Sequence, residues 1–392
     1  MKSMTSIVKK NFLSELRDID WDFVERPGAR GLEDIHWYPA RFVGEIPSIL
    51  IGYFSEPGQL VLDPFCGSGT TLVEALRLGR SAAGVELNPI AAMMSRAKVE
   101  YVEPSELRNL TNLFLQSIEA SGPLFSNSKA VSNSHLPHSP QNKNWYHEKT
   151  LAELSLIRSR IGALEVGPFK TIANVCFSAI LRASCSQEKH WGYICDNVMP
   201  RKLVYKNAVQ LFGTKLRAFT LKKNELTMIL QQQFQERDWP PVRVWEADCR
   251  VKLAELSDSS VDLIVTSPPY FNVTDYAKSQ RLTFLWDEMS PFELVRAKEI
   301  GARSKRFNPK SYNQYIEDMT ICLEHLVRVL KRGRYMCLVL GQSPNHKSYI
   351  RAIRGILKKN GLALVQQIRR NIPQKRSLSP RLFTESILIV RK

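Results

Sequence analysis

The chain has 392 residues, 55 Lys+Arg against 38 Asp+Glu, a formal charge of +17 and 44% hydrophobic residues. This composition excludes a wholly disordered or collagen-like chain, and the length fits two to three structural units or one large domain with an insertion. Seven cysteines with no Cys-x-x-Cys argue against a disulfide framework or a zinc ribbon, and no metal site is expected.

Residues 1–30 read as a short lead-in, without a signal-peptide core, and no apolar run anywhere reaches the roughly 18 residues of a bilayer span. The expectation is therefore a protein of the cytoplasm with no membrane partner. Residues 59–63 form a short apolar run ending in turn chemistry, as a buried parallel strand does. The turn Cys66-Gly67-Ser68-Gly69-Thr70 leads into a helix from Thr71 to Leu78, which Gly79 closes. Residues 81–87 read as a second buried strand, and Pro89 stands where a proline can open the next helix.

Residues 121–145, rich in Ser, Asn, Pro and His and without Asp or Glu, read as a mobile loop or linker. Residues 147–235 are mostly helical in pattern: Leu151, Leu154 and Ile157 share one face, and Phe169–Leu181 and Leu203–Leu230 follow. Strands are expected again near 243–247, 261–266, 335–340, 362–369 and 386–391, with helices near 250–256, 312–330 and 347–359. Strand and helix in alternation imply a parallel sheet covered on both faces. Charge gathers at the end of the chain. Residues 296–392 hold 22 Lys+Arg and 5 Asp+Glu, while the remainder is formally neutral. A last quarter that carries the whole excess points to a polyanion, most simply nucleic acid, with a solvated basic face as the alternative.

Two loops carry chemistry. Asp63-Pro64-Phe65-Cys66-Gly67-Ser68-Gly69-Thr70-Thr71 follows a strand and opens a helix, the position where ligands bind in a doubly wound sheet. Glu86 ends the next strand, where an acidic side chain suits the two hydroxyls of a ribose. No Gly-Lys-Ser/Thr follows, which excludes a Walker phosphate loop. The second loop is Thr266-Ser267-Pro268-Pro269-Tyr270, at the end of an apolar strand. Two prolines remove two N–H donors, leaving a carbonyl, a hydroxyl and an aromatic ring to meet an exocyclic amine and a planar base. A plain structural turn is the alternative for each loop.

The pair resembles the S-adenosylmethionine-dependent DNA amino-methyltransferases, which methylate cytosine N4 or adenine N6, over residues 32–102 and 243–392. The resemblance implies a Rossmann-like α/β fold of class I methyltransferases, a mostly parallel sheet of seven strands with a largely helical insertion. It divides the chain into a first catalytic part (1–103), an insertion that would read the target sequence (104–240) and a second catalytic part (241–392). It implies that Asp63, Phe65, Gly67, Gly69, Thr70 and Thr71 hold the methionine part of S-adenosylmethionine. Glu86 would take the ribose and Asp248 the adenine amine, unless Asp248 is only the N-cap of the following helix. His36-Trp37-Tyr38-Pro39-Ala40-Arg41-Phe42 resembles the upstream motif that completes the pocket, with Tyr38 the candidate contact.

Ser267, Pro268, Pro269 and Tyr270 would be catalytic, with Tyr270 stacking on a flipped-out base of double-stranded DNA. Serine before Pro-Pro-Tyr is typical of the cytosine-N4 enzymes, Asp or Asn of the adenine-N6 ones. A C5 enzyme would need a Pro-Cys nucleophile, which is absent. An RNA guanosine-N2 methyltransferase and an inactive DNA-binding regulator remain as rivals. The first usually has Asp or Asn before Pro-Pro-Tyr and a larger N-terminal part. A separately encoded restriction endonuclease is a possible partner. Residues 272–281 are expected to wall the base, and the basic stretches 296–310 and 369–376 to be loops that grip phosphate.

Overall fold

A computed structural model of the protein describes residues 14–23, 31–39, 43–125, 143–187, 200–234, 239–286, 292–342, 348–372 and 384–392. Seven strands form one sheet: β1 (Leu60–Asp63), β2 (Ser81–Glu86), β3 (Val242–Glu246), β4 (Val261–Thr266), β5 (Leu330–Gln342), β6 (Ala363–Asn371) and β7 (Thr384–Arg391). Their order across the sheet is β3-β2-β1-β4-β5-β7-β6. The first five run parallel, and β7 inserts antiparallel between β5 and β6. The strand order reverses beside β1, so the crevice at the carboxyl ends of β1 and β4 is the place for a ligand. All seven strands expected from the sequence are present, and the seven-stranded, mostly parallel class I methyltransferase architecture is borne out.

Alternation along the strands separates two cores. Val61, Leu263, Val265, Val339, Ile387 and Ile389 face one side. Leu62, Ile264, Met336, Leu338, Leu388 and Val390 face the other, under the helices Ser311–Val329 and Ser348–Lys359. The first side carries the helices Glu45–Phe54, Thr70–Arg77 and Pro89–Val99. Its core continues without a break into the inserted helices Glu148–Gly162, Pro168–Ser184 and Ala208–Gln233, through Leu154, Ile157, Ile172, Phe177, Phe212 and Phe219. The insertion thus shares the core of the sheet.

Several expectations are corrected. The lead-in is docked, with Leu16, Trp21 and Phe23 buried in the main core. Asp22 accepts from the Asn371 backbone N–H and side-chain amide at 2.6 and 2.9 Å. The expected linker 121–145 starts late, because the helix Pro104–Phe125 continues to its end; residues 126–142 lie outside the described set. The basic stretch 296–310 is not all loop: Arg296 and Lys298 end the helix Phe292–Lys298, and Arg303–Lys305 is a 3-10 turn. Arg369 and Arg370 belong to β6, while residues 373–376 lie outside the described residues.

Candidate active site

The glycine loop is shaped by close packing. Gly67 and Gly69 have φ of +51° and +84°, a region that side chains rarely adopt. A Cβ on Gly69 would lie 2.8 Å from Ser95 Oγ and 3.0 Å from its Cα, and one on Gly67 3.3 Å from the Tyr38 ring. The loop carbonyls turn back onto the helix Pro89–Val99. Ser95 Oγ donates to Gly67 O at 2.8 Å, and the buried Lys98 ammonium donates to Ser68 O at 2.6 Å. Ser95 and Lys98 escaped the sequence reading, although with Arg96 they are the only polar residues of the helix Pro89–Val99, a visible signal.

Glu86 closes the loop from β2. Its Oε2 accepts from Gly67 N–H at 2.8 Å and its Oε1 from Asn88 N–H at 2.7 Å. Burial pushes its pKa up to about 7, against these two N–H groups and with help from the nearby Asp63 charge. Asp63 ties β1 to β4: its Oδ1 accepts from Thr266 Oγ1 at 2.6 Å and from Phe65 N–H at 3.1 Å. Burial raises this carboxyl to about 6, against the same hydrogen bonds.

A crevice of about 880 Å³, counting its open mouth, joins this loop to the second one. Of the residues expected at the site, Tyr38, Phe65, Gly67, Thr70, Glu86, Asp248, Ser267 and Pro269 line it. Asp63, Gly69, Thr71, Pro268 and Tyr270 are not in its wall. Asp63, Thr71 and Tyr270 are buried behind it, and Gly69 packs on Ser95. The wall also includes Asn88, Tyr276, Lys298 and Glu299, of which Tyr276 was expected only as a base-side wall residue. Tyr276 stacks on Tyr38, with ring centroids 5.9 Å apart and planes 26° apart. Local sequence had no signal for Glu299, which reaches the site only through tertiary packing.

Asp248 does cap its helix, accepting from Arg250 N–H at 3.0 Å, and its carboxylate also takes the Arg250 guanidinium at 2.6 Å. Burial opposes its charge, but the Arg250 contacts outweigh burial and hold its pKa below the ordinary carboxylate range. The other face of the residue borders the crevice.

On the second loop, Ser267 Oγ donates to Tyr270 Oη at 3.0 Å, and Tyr270 Oη donates to Glu385 Oε1 at 2.7 Å. Arg370 holds the other oxygen of Glu385 at 2.6 Å, with both side chains buried. Tyr270 is 6% exposed, so the exposed stacking ring expected from the sequence is corrected to a buried anchor. Arg370 likewise changes from phosphate contact to buried ion pair. Pro269 O accepts from Tyr315 Oη at 3.0 Å, which pins the double proline.

His36 is structural. Its Nδ1 donates to Trp37 O and its Nε2 meets Ser178 Oγ, each at 2.7 Å, and burial lowers its pKa to about 4. Ser178 also bonds Thr283 at 2.6 Å, so the inserted helix Pro168–Ser184 is tied to two segments, around His36 and Thr283, that adjoin in sequence the Tyr38 and Tyr276 walls of the crevice. Ala40, Arg41 and Phe42 lie outside the described residues. Among the described residues no group of three His, Cys, Asp or Glu side chains is placed to hold a metal, and no helix is long and apolar enough to cross a membrane.

The crevice fits S-adenosylmethionine on its own chemistry: a glycine cradle that a Cβ would fill, an acidic strand end, apolar Phe65 and Val85, and a polar loop opposite. Comparison with known proteins agrees. The profile of the N6/N4 family described as DNA methylase matches residues 8–95 and 261–392. The chain is 28% identical to the type II methyltransferase M.MvaI of Kocuria varians, over 64% of this chain and 56% of that protein. It is 23% identical to M.BsoBI of Geobacillus stearothermophilus, over 74% of this chain and 61% of that one. It is 19% identical to M.MjaII of Methanocaldococcus jannaschii, over 94% and 83%. The chain thus matches little more than half the length of the first relative. A solved SAM-dependent methyltransferase from Methanosarcina mazei aligns over 88% of this chain and 96% of its own, at 10% identity and a TM-score of 0.34; the fold assignment rests instead on the sheet order.

Proposed function

The chain belongs to the DNA methylase family, and from that premise we propose that it is a type II methyltransferase that methylates the exocyclic N4 amine of cytosine in double-stranded DNA. S-adenosylmethionine is the cofactor, and when bound it supplies an electrophilic methyl group on a sulfonium. Tyr38, Phe65, Gly67, Thr70, Glu86 and Asp248 are the residues to hold it. The observation that carries the proposal is the crevice shared by the Gly67–Glu86 wall and Ser267, which supports reading the first as the cofactor side and the second as the amine side.

An exocyclic amine is a poor nucleophile because its lone pair is conjugated into the ring. Ser267 spends its only hydrogen on Tyr270, which spends its own on Glu385. The Ser267 oxygen is left with lone pairs alone for the crevice, so it accepts an N–H of the amine. That bond orients the nitrogen and strengthens as positive charge develops on it. The target amine lies inside a duplex, so the base has to be flipped out to reach Ser267. Burial, with the Glu86 and Asp63 charges, drives the Cys66 thiol pKa well up. Cys66 therefore offers no thiolate for a C5 mechanism. The inserted helices, one of which bonds His36 and Thr283 through Ser178, are proposed to read the target sequence. A separately encoded restriction endonuclease of the same specificity is the proposed partner in the cell.

Mass spectrometry of nucleosides from DNA methylated by the purified protein tests the target, with N4-methylcytosine expected. N6-methyladenine alone would overturn the choice of base and keep the family. 5-Methylcytosine would overturn the mechanism.

A further inference from the structure

One carboxyl group in the crevice wall has no task in the reaction described above. Glu299 follows the helix Phe292–Lys298 and is 6% exposed. Its Oε1 accepts the Ala277 backbone N–H. Its Oε2 is buried and has no hydrogen-bond partner among the described residues. Glu86 differs, since backbone N–H groups occupy both of its oxygens. A buried polar oxygen left unpaired is costly, and such an atom in a ligand crevice calls for a ligand. The surroundings specify its charge. Tyr38 and Tyr276 line the same crevice as a stacked pair, and Glu86 is close enough to act electrostatically on both rings. Aromatic faces and carboxyl groups together favour a cation.

We propose that Glu299 is a cofactor-binding residue that takes up a positive charge of S-adenosylmethionine and gives up its own proton as the cofactor enters. This rests on the methyltransferase reading. The cofactor carries two cationic centres, a sulfonium and an α-ammonium. They share one chemistry, and the experiment separates them.

The proton balance follows from the groups that face Glu299. Burial pushes its pKa up to about 8; the Asp275 and Glu86 charges add to this, and the Ala277 N–H and the Lys305 ammonium oppose it. The phenols of Tyr38 and Tyr276 feel the Glu299 charge and stay protonated, their own pKa values raised first by burial. Near pH 7 the protonated form of Glu299 therefore predominates. A cation alongside stabilises the carboxylate, the carboxyl O–H bond breaks, and the proton passes to buffer with no other bond changed.

Isothermal titration calorimetry of the full chain near pH 7, in two buffers of different ionisation enthalpy, measures that proton. Wild type and Glu299→Gln are each titrated with S-adenosylmethionine and with S-adenosylhomocysteine, which lacks the sulfonium. Glutamine keeps an acceptor for Ala277. Wild type should release protons on binding, and the variant should release fewer, by more than about half a proton. At about pH 8 the variant should bind S-adenosylmethionine about tenfold more weakly.

A larger loss for S-adenosylmethionine than for S-adenosylhomocysteine places the carboxylate at the sulfonium. An equal loss places it at the ammonium, which both ligands carry. Unchanged affinity and proton release in the variant would overturn the proposal. So would a wild type that binds the cofactor yet releases no proton anywhere between about pH 6 and 9, a result that does not depend on the variant folding. A wild type that binds no S-adenosylmethionine would instead remove the methyltransferase reading.

Discussion

The two loops that meet in the crevice are built on different principles. The glycine loop is held from nearby: Glu86, Ser95 and Lys98 all lie within about one strand and one helix of it, and two of the three bonds use backbone atoms as acceptors. The Ser-Pro-Pro-Tyr loop is held from far along the chain. Its tyrosine is fixed by Glu385, 115 residues later, and that carboxylate by Arg370 on the neighbouring strand. A local design tolerates loss of one partner because the rest of the loop remains. A distant chain of polar contacts inside the core fails as a unit, since each buried group left behind is unpaired.

The sharpest way to break that contrast is Arg370→Ala. It strands the Glu385 carboxylate inside the sheet, and removing one partner of a buried pair costs about 3–5 kcal/mol. Chemical denaturation should show a loss of that size. A change below about 1 kcal/mol would mean that the pair is no more than a surface-like contact.

Ser267→Ala tests the far end of the same chain without stranding a charge. The methyl-transfer rate should fall about 10²–10³-fold, as for loss of one preorganised transition-state contact. Cofactor affinity, measured by calorimetry, should stay near wild type. An equal fall in affinity would place Ser267 on the cofactor side.

On the local side, Glu86→Ala should weaken S-adenosylmethionine binding at least about tenfold, since hydrogen bonds to a charged group are worth about 1.5–3 kcal/mol. The fold should survive. The sign of its pH dependence is set by linkage. Glu86 has a raised folded pKa of about 7, so the folded state holds a proton that the unfolded state has already lost. Its contribution to stability therefore declines as pH rises from the ordinary carboxylate range through 7. The difference in melting temperature between Glu86→Ala and wild type should move in favour of the variant across that window. A pH-independent difference would remove the burial cost assigned to this carboxyl.

The smallest effect belongs to basic residues outside both loops. Replacing Arg369, Lys375 and Arg376, and leaving Arg370 in place, should reduce the slope of log DNA affinity against log salt by up to about 0.9 per lost phosphate contact. Stability and site preference should hardly move. An unchanged slope would mean that these charges serve solubility.

Several features of this protein were determined by sequence alone. Strand positions were legible because fully buried parallel strands are short apolar runs closed by turn residues, and the glycine loop because its glycines, its strand end and Glu86 are close in sequence. The spacing of apolar residues also placed the inserted helices after residue 147, although the last begins at Ala208 rather than Leu203, the helix Pro104–Phe125 was not foreseen, and nothing local announced that their core would merge with that of the sheet. Tertiary structure alone decided the roles of Tyr270, Arg370 and Glu299. A tyrosine after Pro-Pro has the same local sequence whether its ring faces a base or its hydroxyl meets Glu385. A basic pair before a turn reads as surface until β7 brings a carboxylate opposite Arg370. Glu299, one acidic residue in a basic stretch, becomes a crevice residue only when the chain folds it beside Tyr38 and Tyr276. These roles depend on which distant group arrives at contact distance, and that is a property of the packed core rather than of any segment within it.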